Sequence, residues 1–169
     1  MDRKETTKFL GDLLKRDRLC GKYWASEVSI DCGTTDVKRV DFMQFEPSGV
    51  VGVSGIEKGI FICYEIKSCK ADYESGFGRN FIGEKNYFVM PMETYKKIAF
   101  DIPDSIGILV PVPQTVGNTN AEMCEEMNNP TQLSSDIDMW KLHVIRYSRP
   151  QIRKKSMVEL LFCMLRSGK

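Results

Sequence analysis

The chain has 169 residues, 42% of them hydrophobic and 28% charged, which is the composition of a folded domain with a sizeable core and excludes a disordered polymer. A formal net charge of +1 excludes a globally basic nucleic-acid binder, so contact with a polyanion requires a local patch. No apolar run approaches the ~20 residues of a membrane span, and the polar opening Met1-Asp2-Arg3-Lys4-Glu5 has no signal-peptide core, so a cytoplasmic protein is expected.

Residues 4–18 place Phe9, Leu10, Leu13 and Leu14 on one helical stripe, and Gly21 ends the helix. Its acids Glu5 and Asp12 read as solvated charges. Residues 23–30 start a sheet, with Glu27 at the mouth of the first strand, and 31–36 have turn composition. In the next strand Arg39, Asp41, Met43 and Phe45 are expected to share a face, which makes Asp41 an acid on a largely apolar surface. A loop region at 47–55 then suggests an antiparallel return that brings Asp41 beside the third strand.

That third strand, within 59–72, begins as core and ends in charge. Alternation puts Phe61, Cys63, Glu65 and Lys67 on one face and Ile60, Ile62, Tyr64 and Ile66 on the other. A carboxylate and an ammonium at the end of a core face are costly unless they pair, meet water or hold a metal. Mg²⁺ or Mn²⁺ takes hard oxygen ligands and needs only one or two carboxylates, so Asp41, Glu65 and the backbone carbonyl of Ile66 form a candidate ligand set. Lys67 is then placed to stabilise phosphorane charge or to orient water.

Residues 69–81 read as a helix broken by Gly76 and Gly78, or a loop over the site, with Tyr73, Arg79 and Asn80 as candidate nucleic-acid contacts. Two continuous apolar runs, 85–91 and 105–112, suit central strands joined by a crossover helix over 92–100, hence parallel. The polar stretch 114–138 reads as an insertion with at most one short helical turn near 121–127. Residues 140–147 alternate as an edge strand, on which His143 reads as a surface or structural residue. The capping-box pattern Ser156-Met157-Val158-Glu159 opens a final helix whose expected buried stripe is Val158, Leu161, Phe162 and Leu165. Just before it, Arg149, Arg153, Lys154 and Lys155 oppose the helix dipole, which makes them candidate phosphate contacts.

The six cysteines include no C-x-x-C pair, and His143 is the only histidine, so zinc and disulfide frameworks are both disfavoured. Buried free thiols in a reducing compartment are the expectation.

Asp41, Glu65-Ile66-Lys67 and the Ala71-Asp72 helix start, followed by Lys85-Asn86-Tyr87-Phe88-Val89-Met90-Pro91 and Gly107-Ile108-Leu109-Val110, together resemble the PD-(D/E)XK nuclease superfamily, with the MmcB-like DNA-repair branch as the nearest pattern. The likeness runs from about Glu27 to Val112 and departs from the superfamily pattern at Val40, where a proline commonly precedes the acid. It implies an α/β fold with a restriction-endonuclease-like αβββαβ core, a central mixed sheet flanked by helices, and an added C-terminal strand and helix, all in one domain over 1–169. It also implies Asp41, Glu65 and Lys67 as catalytic residues, Glu27 as a further metal ligand, Mg²⁺ or Mn²⁺ as cofactor, and DNA held through its backbone. The expected function is metal-dependent hydrolysis of DNA phosphodiester bonds in repair, recombination or processing. The alternatives are an inactive DNA-binding or repair-accessory module of the same fold, and a purely structural protein with a buried Glu65–Lys67 pair. Oligomeric state is left open, a homodimer included.

Overall fold

The structure is a computed structural model that describes residues 1–49, 52–117 and 119–168. Six strands form one mixed sheet in sequence order: β1 (Tyr23–Ile30), β2 (Lys38–Glu46), β3 (Ile60–Ile66), β4 (Lys85–Val89), β5 (Gly107–Pro113) and β6 (Trp140–Arg146). The β1–β2 and β2–β3 pairs are antiparallel, β3–β4 and β4–β5 are parallel, and β6 returns antiparallel along the far edge. Parallel neighbours need crossovers, and these are α3 (Lys70–Glu74) with the loop after it, and α4 (Met92–Ile98) with one 3₁₀ turn. The chain therefore has the αβββαβ order expected for its core, with a further strand and helix at the C-terminal end. A short helix, α2 (Val53–Glu57), lies between β2 and β3; Val50 and Val51 of the expected loop fall outside the described residues.

One face of the sheet is covered by α1 (Arg3–Leu14), capped by a reciprocal pair of bonds between Asp2 and Glu5. Phe9, Leu10, Leu13 and Leu14 pack on Phe42, Ile62, Tyr64 and Ile66, as the helical stripe predicted. The expected α-helix to residue 18 instead widens into a π turn over Lys15–Leu19. There Arg16 donates to the carbonyls of Ile137 and Trp140, and Asp17 accepts from the N–H of Leu142 at 2.7 Å, tying the helix end to β6.

The opposite face is covered by α6 (Met157–Ser167), but not by the expected stripe. Leu160, Cys163 and Met164 are buried against Ala25, Val28, Val40, Met43, Phe45 and Phe61, whereas Val158, Phe162 and Leu165 are 76%, 61% and 83% exposed. Apolar residues recur at helical spacing on both sides of this helix, so periodicity could not choose the docking face.

The polar stretch after β5 is also more ordered than expected. It holds α5 (Asn120–Asn128), opened by a capping box between Thr119 and Glu122, with Glu126 buried and accepting from both the N–H and the hydroxyl of Thr131. Among the described residues no helix is long and apolar enough to cross a membrane. All six cysteines are free, and burial pushes the Cys63 thiol up to about 12.

Candidate active-site cleft

The site begins with an irregularity shared by two strands. Ser26 pairs with Phe42 and Val28 with Val40, so Glu27 and Asp41 stand opposite one another between regular pairs. Glu27 has a φ of 52°, a left-handed conformation that is unfavourable for a residue with a side chain. The pleat slips by one residue here: Ala25 faces α6, and so do Val28 and Ile30, while on β2 Val40 joins Met43 and Phe45. The expected common face of Arg39, Asp41, Met43 and Phe45 is thus broken at Asp41, because the slip separates it from the core-facing pair beyond.

The slip frees Asp41 from the core. The β2–β3 ladder ends at Phe42 opposite Tyr64, and one step further the N–H of Ile66 donates to Asp41 Oδ2 at 2.8 Å. A side-chain carboxylate thereby satisfies a donor that a ladder carbonyl would otherwise take. The same step sets Asp41 beside Glu65, within side-chain hydrogen-bonding reach.

Glu65 and Lys67 are 5% and 3% exposed, and the face expected for them is the observed one, since Phe61 and Cys63 lead to them along β3. The Lys67 ammonium donates to the carbonyl of Phe77 at 2.6 Å and lies 5.9 Å from the centre of the Phe88 ring. Gly78, at φ +70°, closes over the pair; a Cβ there would overlap Glu65 Oε2 and lie 3.0 Å from Lys67 Nζ. Beyond β3, Asp72 accepts from the N–H and hydroxyl of Ser68, both at 3.1 Å, and pairs with Arg3 at 3.0 Å.

Burial raises the Glu65 carboxyl to about 9; the Asp41 charge and their mutual hydrogen bond push the same way, and Lys67 opposes. Asp41 is raised too, again chiefly by burial, against the Ile66 N–H and the charges of Lys67 and Arg39. Two desolvated carboxyls side by side hold a proton between them at neutral pH. A divalent cation can take that proton's place.

No protein-family model matches the chain, and no curated protein matches it in sequence. Among solved structures the chain is similar to the SPO1766 protein of unknown function from Silicibacter pomeroyi, with 16% sequence identity, a TM-score of 0.56, and coverage of 95% of this chain and 84% of that one. At that identity the likeness concerns the fold alone: a six-stranded mixed sheet flanked by helices.

Among the described residues no group of three or more histidine, cysteine, aspartate or glutamate side chains is arranged to hold a metal. The oxygen set is the pair Asp41 and Glu65, with Ile66 beside them in the cleft wall. Glu27 also lines the cleft, but it turns to Arg39 at 2.9 Å with 61% of its side chain exposed, so it does not join the pair.

Most of the sequence-proposed nucleic-acid contacts are engaged elsewhere. Tyr73 is buried, its hydroxyl donating to the Asp101 carbonyl, and Arg79 stacks 4.1 Å from its ring while donating to its carbonyl. Arg153 pairs with Glu84 at 2.7 Å, Lys155 with Asp31 and Glu159, and Lys154 donates to the Asn80 carbonyl. The basic run before α6 therefore braces the loops it touches, and Arg149 is exposed away from the cleft lining. Of that set only Asn80 borders the cleft, its amide donating to the Arg39 carbonyl at 3.1 Å.

The cleft, of about 1040 Å³, is lined instead by cations the sequence reading missed: Arg3, Lys8 and Lys15 from α1 and its extension, Lys38 and Arg39 from β2. The available signal was the seven-residue spacing of Lys8 and Lys15, which puts both on one helical face.

Proposed function

We propose that this cleft is a divalent-cation-dependent phosphodiesterase site that acts on nucleic acid, with DNA the expected substrate. The observation that carries the reading is the half-buried Asp41 carboxyl beside the buried Glu65 carboxyl, next to the buried Lys67, in the lining of an open cleft. An acid pair of this kind, desolvated and close to a fixed cation, is expensive to keep for stability alone. The resemblance of Asp41 and Glu65-Ile66-Lys67 to the PD-(D/E)XK pattern points the same way, as does the order of the elements.

The donor set suits a hard cation. Asp41, Glu65 and the Ile66 carbonyl would hold Mg²⁺ or Mn²⁺, and two carboxylates with the remaining positions left to water meet its needs. When bound, such an ion polarises a phosphate oxygen and acidifies water. The protein's own part follows from the geometry. The Ile66 N–H fixes Asp41 in one orientation, and Glu65 must release its proton to serve as a ligand. Lys67, held by the Phe77 carbonyl at the edge of the acid pair, offsets negative charge that develops on a phosphate placed there.

A second reading, a non-cleaving nucleic-acid-binding module, is favoured by one feature: the loop carrying Phe77 and Gly78 occupies the Lys67 amine and covers Glu65. Incubation of labelled single-stranded, duplex and branched DNA with Mn²⁺ separates the two. Cleavage that is lost in Asp41→Asn, Glu65→Gln and Lys67→Ala supports hydrolysis. Cleavage that persists unchanged in all three refutes the assignment of these residues. Uncut DNA, with no carboxylate-dependent heat on Mn²⁺ titration, leaves only the binding reading. Involvement in DNA repair, and action in the cytoplasm, are expectations that accompany the hydrolytic reading.

A further inference from the structure

The cleft is lined by six acids and six cations, and with one proton held on the Asp41–Glu65 pair its walls attract a polyanion only weakly. The excess of positive charge lies elsewhere. On the α1 side of the sheet, at the end of the π turn, a groove of about 200 Å³ is lined by Arg18, Lys22 and Lys85 against one carboxylate, Glu46. Among the described residues none of these three cations has an ion-pair or side-chain hydrogen-bond partner, whereas Arg3, Lys15, Lys38 and Arg39 of the cleft are all paired. Three cations gathered against a single carboxylate leave net positive charge, and a bound anion offsets their mutual repulsion.

The groove also has an aromatic floor. Tyr64 and Tyr87 stack with ring centres 5.6 Å apart and planes 22° from parallel, and the Tyr64 hydroxyl donates to Gln44 at 3.1 Å. Burial raises the pKa of Tyr64, so its phenol stays neutral beside the cations. Tyr64 is buried and Tyr87 half-buried, so the groove offers cationic walls for a sugar–phosphate backbone and leaves its bases outside.

Groove and cleft share no lining residue but lie next to one another along β2 and the end of α1. Phe42 borders the cleft and shares a face of β2 with Gln44 and Glu46, which border the groove. Lys15 of the cleft lies over the Phe42 ring at 5.7 Å and precedes Arg18 by one helical turn. From Phe42 to Glu46 the β-strand covers about 14 Å, so the two sites are only a few nucleotides apart.

We infer that Arg18, Lys22 and Lys85 form a phosphate-binding exit groove, which holds a polynucleotide strand where it leaves the acid cleft along the α1 face. The inference rests on the phosphodiesterase reading for what occupies the cleft, but its test is independent of turnover.

The test uses the triple variant Arg18→Ala, Lys22→Ala, Lys85→Ala of the full chain and a fluorescein-labelled single strand of about 20 nucleotides, long enough to fill both sites. Binding is read by anisotropy in metal-free buffer over a salt series. In the variant the dissociation constant rises by about tenfold or more, and the slope of log affinity against log salt falls by about 2, the value for three phosphate contacts on a single strand. The charge-keeping variant Arg18→Lys, Lys22→Arg, Lys85→Arg restores both, which separates loss of charge from misfolding. Hydrolysis of bis(p-nitrophenyl) phosphate with Mn²⁺, a diester too small to reach the groove, is unchanged in either variant. Equal affinity and equal salt slope in wild type and alanine variant overturn the groove, as does a wild type that binds no strand at all. A wild type that binds the strand in this charge-dependent way yet cleaves neither the small diester nor labelled DNA with Mn²⁺ keeps the groove and overturns the hydrolytic reading.

Discussion

Glu65→Gln tests the electrostatics of the acid pair without reference to any substrate. In the folded chain Glu65 keeps its proton up to about pH 9, whereas the unfolded chain releases it near the ordinary value of 4.5. Between these values the folded state holds more protons, so the stability tied to the neutral carboxyl is complete below pH 4.5 and drains away as pH rises through 9. A one-proton difference is a slope of about 1.4 kcal/mol per pH unit, so the protein loses ~3 kcal/mol between pH 6 and pH 8. For a chain of this length that is a fall of roughly 6–12 °C in melting temperature. Glutamine is neutral at every pH and close to the protonated acid in shape, so the variant's melting temperature stays nearly level over the same range. Thermal melts of both proteins in chelator, followed by circular dichroism from pH 5.5 to 8.5, provide the measurement. Adding Mn²⁺ at pH 8 returns part of the lost stability to the wild type only, because the ion replaces the proton between Asp41 and Glu65. Parallel melting profiles for wild type and Glu65→Gln would refute the claim that this carboxyl is buried against a like charge.

Gly76 and Gly78 both adopt positive φ, but only Gly78 faces the acids. Gly76→Ala should cost about 1–2 kcal/mol of backbone strain, while Gly78→Ala adds overlap with Glu65 for a total near 3 kcal/mol in urea titration; equal losses would show that the loop does not close on the site. On α6, Leu160→Ala should destabilise by about 2–5 kcal/mol and Phe162→Ala by no more than about 0.5 kcal/mol, and the reverse order would mean that the helix docks by its other stripe.

The succession of strands and helices was legible in the chain because each carries its own period. The stripe Phe9, Leu10, Leu13 and Leu14 admits one buried face, the alternation of β3 sends Phe61 and Cys63 one way and Tyr64 the other, and the apolar runs of β4 and β5 suit strands covered on both sides. The break in that alternation at Glu65 and Lys67 was itself the pointer to the site. Its antiparallel neighbour was inferable from the short return between β2 and β3, which brings Asp41 alongside.

What the linear pattern could not hold is whatever depends on two segments at once. Only the folded sheet turns Glu27 left-handed, slips the pleat of β1 and β2 together, and hands the Ile66 N–H to Asp41, since a pleat fault costs nothing until a neighbour must pair with it. The docking face of α6 was decided the same way, between two apolar stripes of similar local merit. Charge followed suit. Residues 153–155 looked like a phosphate patch in the sequence but are consumed by Glu84, Asp31 and Asn80, while Arg18, Lys22 and Lys85, scattered along the chain, become one unpaired cluster. A side chain's composition and spacing fix its own preferences, but whether its charge is spent or free depends on partners that only the tertiary fold brings within a few ångströms.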